Sequence, residues 1–243
     1  MMPDLSLAIA SYKDAPHLER NVLSIKNILD NTKYSVEWIF VEDCGNDGAE
    51  EIIERIVKSN NFEIEPKLIF HKNNTGRGKA IQDAFEIASG KVLGYLDIDL
   101  AVSPAYIPLF LHKILTDKFD IVTALRVYRV NFHPECMLRD MLSYFYRLLS
   151  KSYMRIPYLD TETGYKFFRR ECILDIMKYA KNPKWFWDTE VMYYAHILKY
   201  KAIELPCLYL RDKNKESTVR IIHDSIDYLK NLHKLKQNRK INV

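Results

Sequence analysis

Short apolar runs alternate with helix-patterned segments through the first half of the chain, and polar clusters follow the apolar runs. Leu5–Ala10 reads as a buried strand, after which Leu18, Val22, Ile25 and Leu29 recur at helical spacing. Trp38–Val41 is a second strand, ahead of a helix carrying Ile52, Ile53, Ile56 and Val57. Leu68–Phe70 is a third strand, followed by a helix over Lys79–Ala88. Val92–Leu96 is a fourth that runs directly into Asp97; Ile107–Leu115 reads as helix and Ile121–Ala124 as a further strand. Strand and helix in alternation imply parallel strands joined by crossover helices. Such sheets bind ligands beyond the carboxyl ends of their strands. Those ends carry Ser11-Tyr12-Lys13-Asp14, Glu42-Asp43, Asn73-Asn74-Thr75-Gly76 and Asp97-Ile98-Asp99.

The second half is less regular. Met137–Tyr153 is helix-like and rich in aromatics, Tyr165–Phe168 reads as a strand and Val191–Leu198 as a helix. A last helix places Ile222, Ile226 and Leu229 on one face. The simplest organisation is one domain over residues 1–215 with a helical extension over 216–243, packed on or beside it. A hydrophobic content of 48% over 243 residues suits one large α/β domain, and the ordinary charged fraction of 28% sets disorder aside.

The net charge of +4 is too mild to argue for nucleic acid, which needs a concentrated basic face. Lys230, Lys234, Lys236, Arg239 and Lys240 cluster near the C-terminus. A solvated helix end is the simpler reading of them, and contact with an anionic membrane surface the sharper one. Cys44, Cys136, Cys172 and Cys207 form no CxxC pair, so a zinc site or disulfide framework is not expected and a reducing, cytoplasmic setting fits. No stretch has the pattern of a signal peptide or approaches the ~18 apolar residues of a spanning helix.

Asp97-Ile98-Asp99 carries the most chemistry. In an extended strand the two carboxylates point to one side and can share a hard cation such as Mg²⁺ or Mn²⁺. In a turn, one can bind metal while the other bonds a sugar or ribose. Glu42 and Asp43 can accept hydrogen bonds from a base or ribose, whereas Asp47 or Asn46 suits the cap of the helix beginning near Ala49. Gly76 and Gly78 beside a helix start permit close backbone approach to a ligand. Arg77 and Lys79 between and after them suit phosphate, a plain turn with solvated charges being the alternative. Asp188 and Glu190 stand where a helix N-terminus favours acids in any case. Trp185, Phe186 and Trp187 fit either a sugar platform or core packing. Lys166 and Arg169 suit anions or the solvated surface; His71, His112 and His133 receive no role.

Taken in order, these segments resemble the family-two glycosyltransferases. Ile9-Ala10-Ser11-Tyr12-Lys13-Asp14 is similar to the family's IPTYNE-type opening, and Val41-Glu42-Asp43-Cys44-Gly45-Asn46-Asp47-Gly48 to its VDDGSxDG motif. Asn74-Thr75-Gly76-Arg77-Gly78-Lys79-Ala80 resembles NxGKGxA, and Asp97-Ile98-Asp99-Leu100 resembles DADL. The segment Asp160 to Arg169 is similar to DxxxGFKxFRR, and Phe186-Trp187-Asp188-Thr189-Glu190 to FxxDxE. Arg211 with Glu216-Ser217-Thr218-Val219-Arg220 resembles the RxxGxSKV segment of the polyprenyl-phosphate (dolichol-phosphate) mannose or glucose synthases. The chain departs from these patterns at Ala10 (Pro in the family), Lys13 (Asn), Cys44 (Gly), Ala101 (often Gln or Ser) and Thr218 (Lys).

The resemblance implies a GT-A fold, a Rossmann-like mixed and mainly parallel α/β sheet flanked by helices. It also implies a UDP- or GDP-sugar donor and a divalent metal, Mg²⁺ or Mn²⁺. Ala10, Ser11, Tyr12, Asp14, Glu42, Asp43, Arg77, Lys79, Asp97 and Ile98 form the nucleotide site so expected, with Asp97 and Asp99 toward the metal. Arg126 stands where the family's GSR arginine lies; with Arg139, Lys166 and Arg220 it is expected to meet the acceptor. The expected reaction is inverting displacement onto a lipid phosphate at the cytosolic membrane face. The alternative is a glycan hydroxyl, which needs a general base, Asp188 first and Glu190 second. A sugar-1-phosphate nucleotidyltransferase would need a glycine-rich basic loop after the first strand, where Ser11-Tyr12-Lys13-Asp14-Ala15-Pro16 stands. A non-catalytic nucleotide-sugar or glycan-binding module is the alternative outside enzymes.

Overall fold

In the computed structural model of the chain, residues 2–128, 151–210 and 221–237 are described, the last segment with side chains from 227 onward. Arg139, Arg211, Arg220, most of the aromatic helix expected over Met137–Tyr153 and the boundary expected at 215/216 lie outside the described residues.

The chain runs β1 (Leu5–Ser11), α1 (Ala15–Asp30), β2 (Val36–Glu42), α2 (Ala49–Ser59), β3 (Lys67–Phe70), α3 (Arg77–Ile87) and β4 (Val92–Leu96). A 3-10 turn at Pro104–Tyr106 leads into α4 (Ile107–Leu115) and β5 (Ile121–Tyr128). Then come β6 (Tyr165–Arg169), α5 (Arg170–Ile176), α6 (Trp187–Ile197), β7 (Ala202–Tyr209) and α7 (Ile221–Gln237). The strands form one sheet in the order β3-β2-β1-β4-β6-β5-β7. β1 pairs in parallel with β2 and β4, and β2 with β3. β6 runs antiparallel to both β4 and β5, while β5 and β7 are parallel. The parallel strands anticipated from the alternation are β1–β4, and the mixed, mainly parallel sheet that the resemblance implies is the one observed.

Alternate residues of the central strands serve two cores. Leu5, Leu7 and Ile9 of β1 face α1, α2 and α4, where Leu18, Val22, Ile25, Ile53, Phe110 and Leu111 are buried. Ala8 and Leu93 point the other way, toward Ala80, Ala84 and Phe85 of α3 and Trp187, Val191 and Met192 of α6. Burial on both faces is why these strands read as continuous apolar runs rather than alternating ones. Each fully buried Leu, Ile or Phe contributes about 1.5–3 kcal/mol.

The last helix packs against the second core, the side chains of Ile222 and Ile226 lying outside the described ones. Leu232 and Leu235 are buried in the same core as α3 and α6, whereas Leu229 is 44% exposed. Tyr228, Leu232 and Leu235 share the inward stripe at spacings of four and three, and Leu229 lies about 100° around the helix from Tyr228. Tyr228 Oη also lies 2.9 Å from Thr189 Oγ1 of α6.

Candidate active site

The polar clusters meet at the carboxyl edge of the sheet. Asp43, just past β2, is buried and accepts from the backbone N–H groups of Thr75 and Gly76 and from Thr75 Oγ1, each at 2.8 Å. His71 Nδ1 stands 2.8 Å from the same carboxylate, and its Nε2 is 3.2 Å from Asp83. Asp83 in turn pairs with Lys79 one turn earlier on α3. Glu42 is equally buried, accepting from Cys44 N–H at 2.8 Å and Gly45 N–H at 2.7 Å. These two acids therefore set the loops after β2 and β3. Asp47 serves two helix starts, taking Ala49 N–H at 3.3 Å and Ala15 N–H at 2.9 Å. Cys44 sits at φ 59°, in the left-handed region, a backbone reason for the family's glycine there.

Gly76 and Gly78 approach protein rather than ligand. A Cβ on Gly76 would lie 2.5 Å from the Pro183 carbonyl oxygen, and one on Gly78 2.7 Å from the Asn182 and Lys184 carbonyl oxygens. Lys79 N–H donates to Pro183 O at 2.9 Å, so the head of α3 is seated against the loop before α6.

Asp97 and Asp99 stand in a turn, closed by Leu100 N–H donating to Asp97 O at 3.1 Å. Ala101 N–H donates to Asp99 Oδ1 at 3.1 Å. Both acids line an open recess with Val102, Arg126, Thr163, Gly164 and Tyr209. Ile98 between them points into the core, its carbonyl taking Asn21 Nδ2 at 2.8 Å. The Asp97 carboxylate lies so close to the backbone of Gly164 that a Cβ there would be 2.1 Å from Oδ2. Desolvation by the surrounding protein raises the Asp97 carboxyl above its ordinary range although its side chain is 43% exposed. Arg77 opposes the shift; the charges of Asp99 and Asp188 add to it.

Arg77, the first residue of α3, joins two of the acidic motifs. Its Nε and Nη2 donate to Asp97 Oδ1 at 3.0 and 2.7 Å, and its Nη1 to Asp188 Oδ2. The guanidinium stands 5.2 Å from the Tyr95 ring and 5.0 Å from the Trp185 ring. Asp188 is 1% exposed; its Oδ1 takes Lys166 Nζ at 2.9 Å and the Tyr95 hydroxyl. Burial lowers the Lys166 ammonium below its ordinary range, against the pull of Asp188. Lys166 is 0% exposed, which corrects its expected contact with an acceptor: it lies sealed under Asp188. Glu190 accepts Asn182 N–H at 2.7 Å and is raised by burial, so it braces the loop before α6. Phe186 and Trp187 belong to the core, leaving Trp185 as the exposed ring.

Across the recess, Arg126 in the second half of β5 is held in a fork by the fully buried Asp160, Nε to Oδ2 and Nη2 to Oδ1, both at 2.7 Å. Glu204 of β7 accepts the N–H groups of Leu159 and Asp160 at 2.7 and 2.6 Å, fixing the loop that carries that acid. Ala10, Ser11, Tyr12 and Asp14 lie at the end of β1 beside β2, apart from the Arg126 recess; Tyr12 N–H and Asp14 Oδ2 are 3.5 Å apart. Tyr95 and Glu204 stand in no sequence motif, Thr75 is only one member of the Asn74–Ala80 segment, and His71, given no role from sequence, is a partner of Asp43. Tyr95 faces Lys166 across the β4–β6 pairing, a proximity only the register creates.

No group of three or more His, Cys, Asp or Glu side chains able to hold a metal occurs among the described residues. Asp97 and Asp99 nonetheless fit one. Both are hard oxygen donors on one recess, and the repulsion by which Asp99 raises Asp97 is relieved by a cation. Two carboxylates suit an ion whose other ligands are water and phosphate oxygens.

A sheet of this order, with acidic clusters at its carboxyl edge, defines a GT-A-type glycosyltransferase fold. The model of the family "Glycosyl transferase family 2" matches residues 6–176, and the chain belongs to that family. Similar proteins include glycosyltransferase AglD of Haloferax volcanii, 26% identical over 206 residues that cover 84% of this chain and 32% of AglD. The dolichyl-phosphate beta-glucosyltransferase of Saccharomyces cerevisiae is 25% identical over 246 residues, 94% of this chain and 72% of that protein. The chain thus spans about a third of the length of AglD and under three quarters of the yeast enzyme. Among solved structures, mannosyltransferase PcManGT from Pyrobaculum calidifontis, in complex with GDP-Man and Mn²⁺, superposes with a TM-score of 0.62 at 16% identity. That match covers 88% of this chain and 59% of PcManGT. Glucosyl-3-phosphoglycerate synthase from Mycobacterium tuberculosis, with Mg²⁺ and UDP, gives 0.72 at 13% identity, covering 96% and 79%. At these identities the structural likeness establishes the fold.

Proposed function

We propose that this chain transfers a hexose from a UDP- or GDP-sugar to a polyprenyl phosphate by direct, inverting displacement. The observation that carries the reading is the placement of Asp97, Asp99 and Arg126 on one recess, carboxylates beside a guanidinium. Asp97 and Asp99 would hold Mg²⁺ or Mn²⁺, which when bound neutralises the charge gathering on the departing nucleoside diphosphate. The remaining work falls to the chain. The loops fixed by Glu42 and Asp43 shape the edge that would receive the nucleoside. Arg126, aimed by Asp160, offers a planar cation to an anionic acceptor.

The state of Asp188 favours a phosphate acceptor over a hydroxyl. A hydroxyl nucleophile needs a base within reach, and the Asp188 carboxylate is buried and bound by Arg77, Lys166 and Tyr95. A phosphate is already anionic and needs none. The yeast relative is named for transfer to dolichyl phosphate, which agrees. No helix among the described residues is long and apolar enough to cross a membrane. Lys230 and Lys234 are exposed on α7, which suits peripheral contact with anionic lipid at the cytosolic face.

The test is nucleotide release from a panel of UDP- and GDP-sugars with Mn²⁺, against polyprenyl phosphate in vesicles and soluble glycans. The proposal expects one donor to turn over with the lipid phosphate. Turnover with a glycan alone overturns the acceptor assignment. Tight nucleotide binding with no turnover on any pairing identifies a binding module instead.

A further inference from the structure

We propose that Arg77 is a positioning residue: it carries the fixed position of Asp188 to Asp97, and so sets that carboxylate for a divalent cation rather than gripping the donor phosphates itself. The inference rests on the reading that Asp97 and Asp99 hold the cation.

The support for it is a chain of bonds that begins in the core. Asp188 cannot move freely, because Lys166 and Tyr95 hold its Oδ1 inside the protein. Its Oδ2 takes Nη1 of Arg77. The other edge of the same planar group meets Asp97 Oδ1 with two N–H donors, leaving Oδ2 as the carboxylate oxygen without a hydrogen bond from Arg77. Tyr95 and Trp185 flank the guanidinium, and the seating of α3 on the 182–184 backbone holds the residue's Cα. A group so engaged is committed to aiming its partner.

Charge alone does not explain the arrangement. Asp97, Asp99 and Asp188 outnumber Arg77 and Lys166 by one, so the cluster keeps a net negative charge for a cation while Asp97 and the buried Asp188 each have a cationic partner. A lysine at position 77 would preserve that balance. It would lose the flat fork that reaches both acids at once. The lysine variant therefore separates aim from charge.

The experiment titrates Mn²⁺ into the full chain, with and without UDP or GDP, by electron paramagnetic resonance of the free ion, and measures nucleotide affinity without metal. For Arg77→Lys the proposal expects Mn²⁺ affinity to fall roughly tenfold or more, as for outer partners of metal ligands. Metal-free nucleotide affinity should stay unchanged. Asp188→Asn should weaken Mn²⁺ in the same way, and the double variant should be no worse than the weaker single one. Unchanged Mn²⁺ affinity in Arg77→Lys overturns the inference. So does a metal-free loss of nucleotide binding in Arg77→Lys, which would make Arg77 a phosphate ligand. Should Asp188→Asn leave Mn²⁺ binding intact and instead remove the acid limb of the pH–rate profile, Asp188 is a base and the inference also fails. Circular dichroism of each variant separates these outcomes from unfolding, and the milder Tyr95→Phe, which loses one bond to Asp188, gives a second reading in the same direction. If the unaltered chain binds no Mn²⁺ even with nucleotide, the cation reading itself fails, a result distinct from all of these.

Discussion

Gly164 and Asp97 are locked together: Asp97 N–H donates to the Gly164 carbonyl at 2.8 Å while its carboxylate rests where a Gly164 side chain would be. A methyl group there would displace the carboxylate by the better part of a van der Waals radius. Gly164→Ala should therefore cost on the order of 10²-fold in turnover, the scale of a 1 Å misplacement. Melting temperature should fall by only a few degrees. Steady-state kinetics beside thermal unfolding checks this, and a fully active variant would mean that Asp97 has no fixed place in the reaction.

Asp160 and Arg126 make a comparable pair on the acceptor side. Asp160→Asn replaces the carboxylate fork under Arg126 with a neutral amide and loosens its aim, Glu162 standing farther off at 4.0 Å. Removing one charge of a buried pair costs on the order of 3 kcal/mol in stability. Michaelis constants should divide: roughly tenfold higher for polyprenyl phosphate, unchanged for the nucleotide sugar. An equal rise in both would show that Arg126 does not belong to the acceptor.

The first four strands and the acids beyond them were legible because burial on both faces writes an apolar run, and ligand-side loops write polar residues after it. β7 was not. Its sequence holds Glu204 and Pro206, which interrupt the apolar run that marks a strand. It is the outermost strand next to β5, where a proline is tolerated, and Glu204 is spent on the backbone of Leu159 and Asp160. The glycines of the Asn74–Lys79 segment told that something comes close to the backbone, but the partner, the 182–184 loop, is about a hundred residues away in sequence. Asp188 read as a reactive acid on a helix start. Only strand pairing reveals Tyr95 and Lys166 beneath it.

Glu37 makes a pH prediction away from the site. Burial pushes its carboxyl up, but hydrogen bonds from Lys67, Ser6 and Ser89 outweigh burial and leave it below the ordinary value of 4.5. A depressed acid stabilises the fold above its unfolded pKa and ceases to do so as pH falls through the folded one. Urea denaturation from pH 7 down to 3 should show wild type losing stability below about 4.5. Glu37→Gln should be less stable at neutral pH, with the gap closing in acid; a gap independent of pH would contradict the assignment.

Calorimetry of UDP and GDP binding with and without Mn²⁺ reads out whether Asp97 and Asp99 hold the cation. Mn²⁺ should strengthen binding of one nucleotide to the unaltered chain, and Asp97→Asn and Asp99→Asn should each abolish that gain while leaving metal-free binding in place. Equal enhancement by Mn²⁺ in the chain and in both variants would contradict that role.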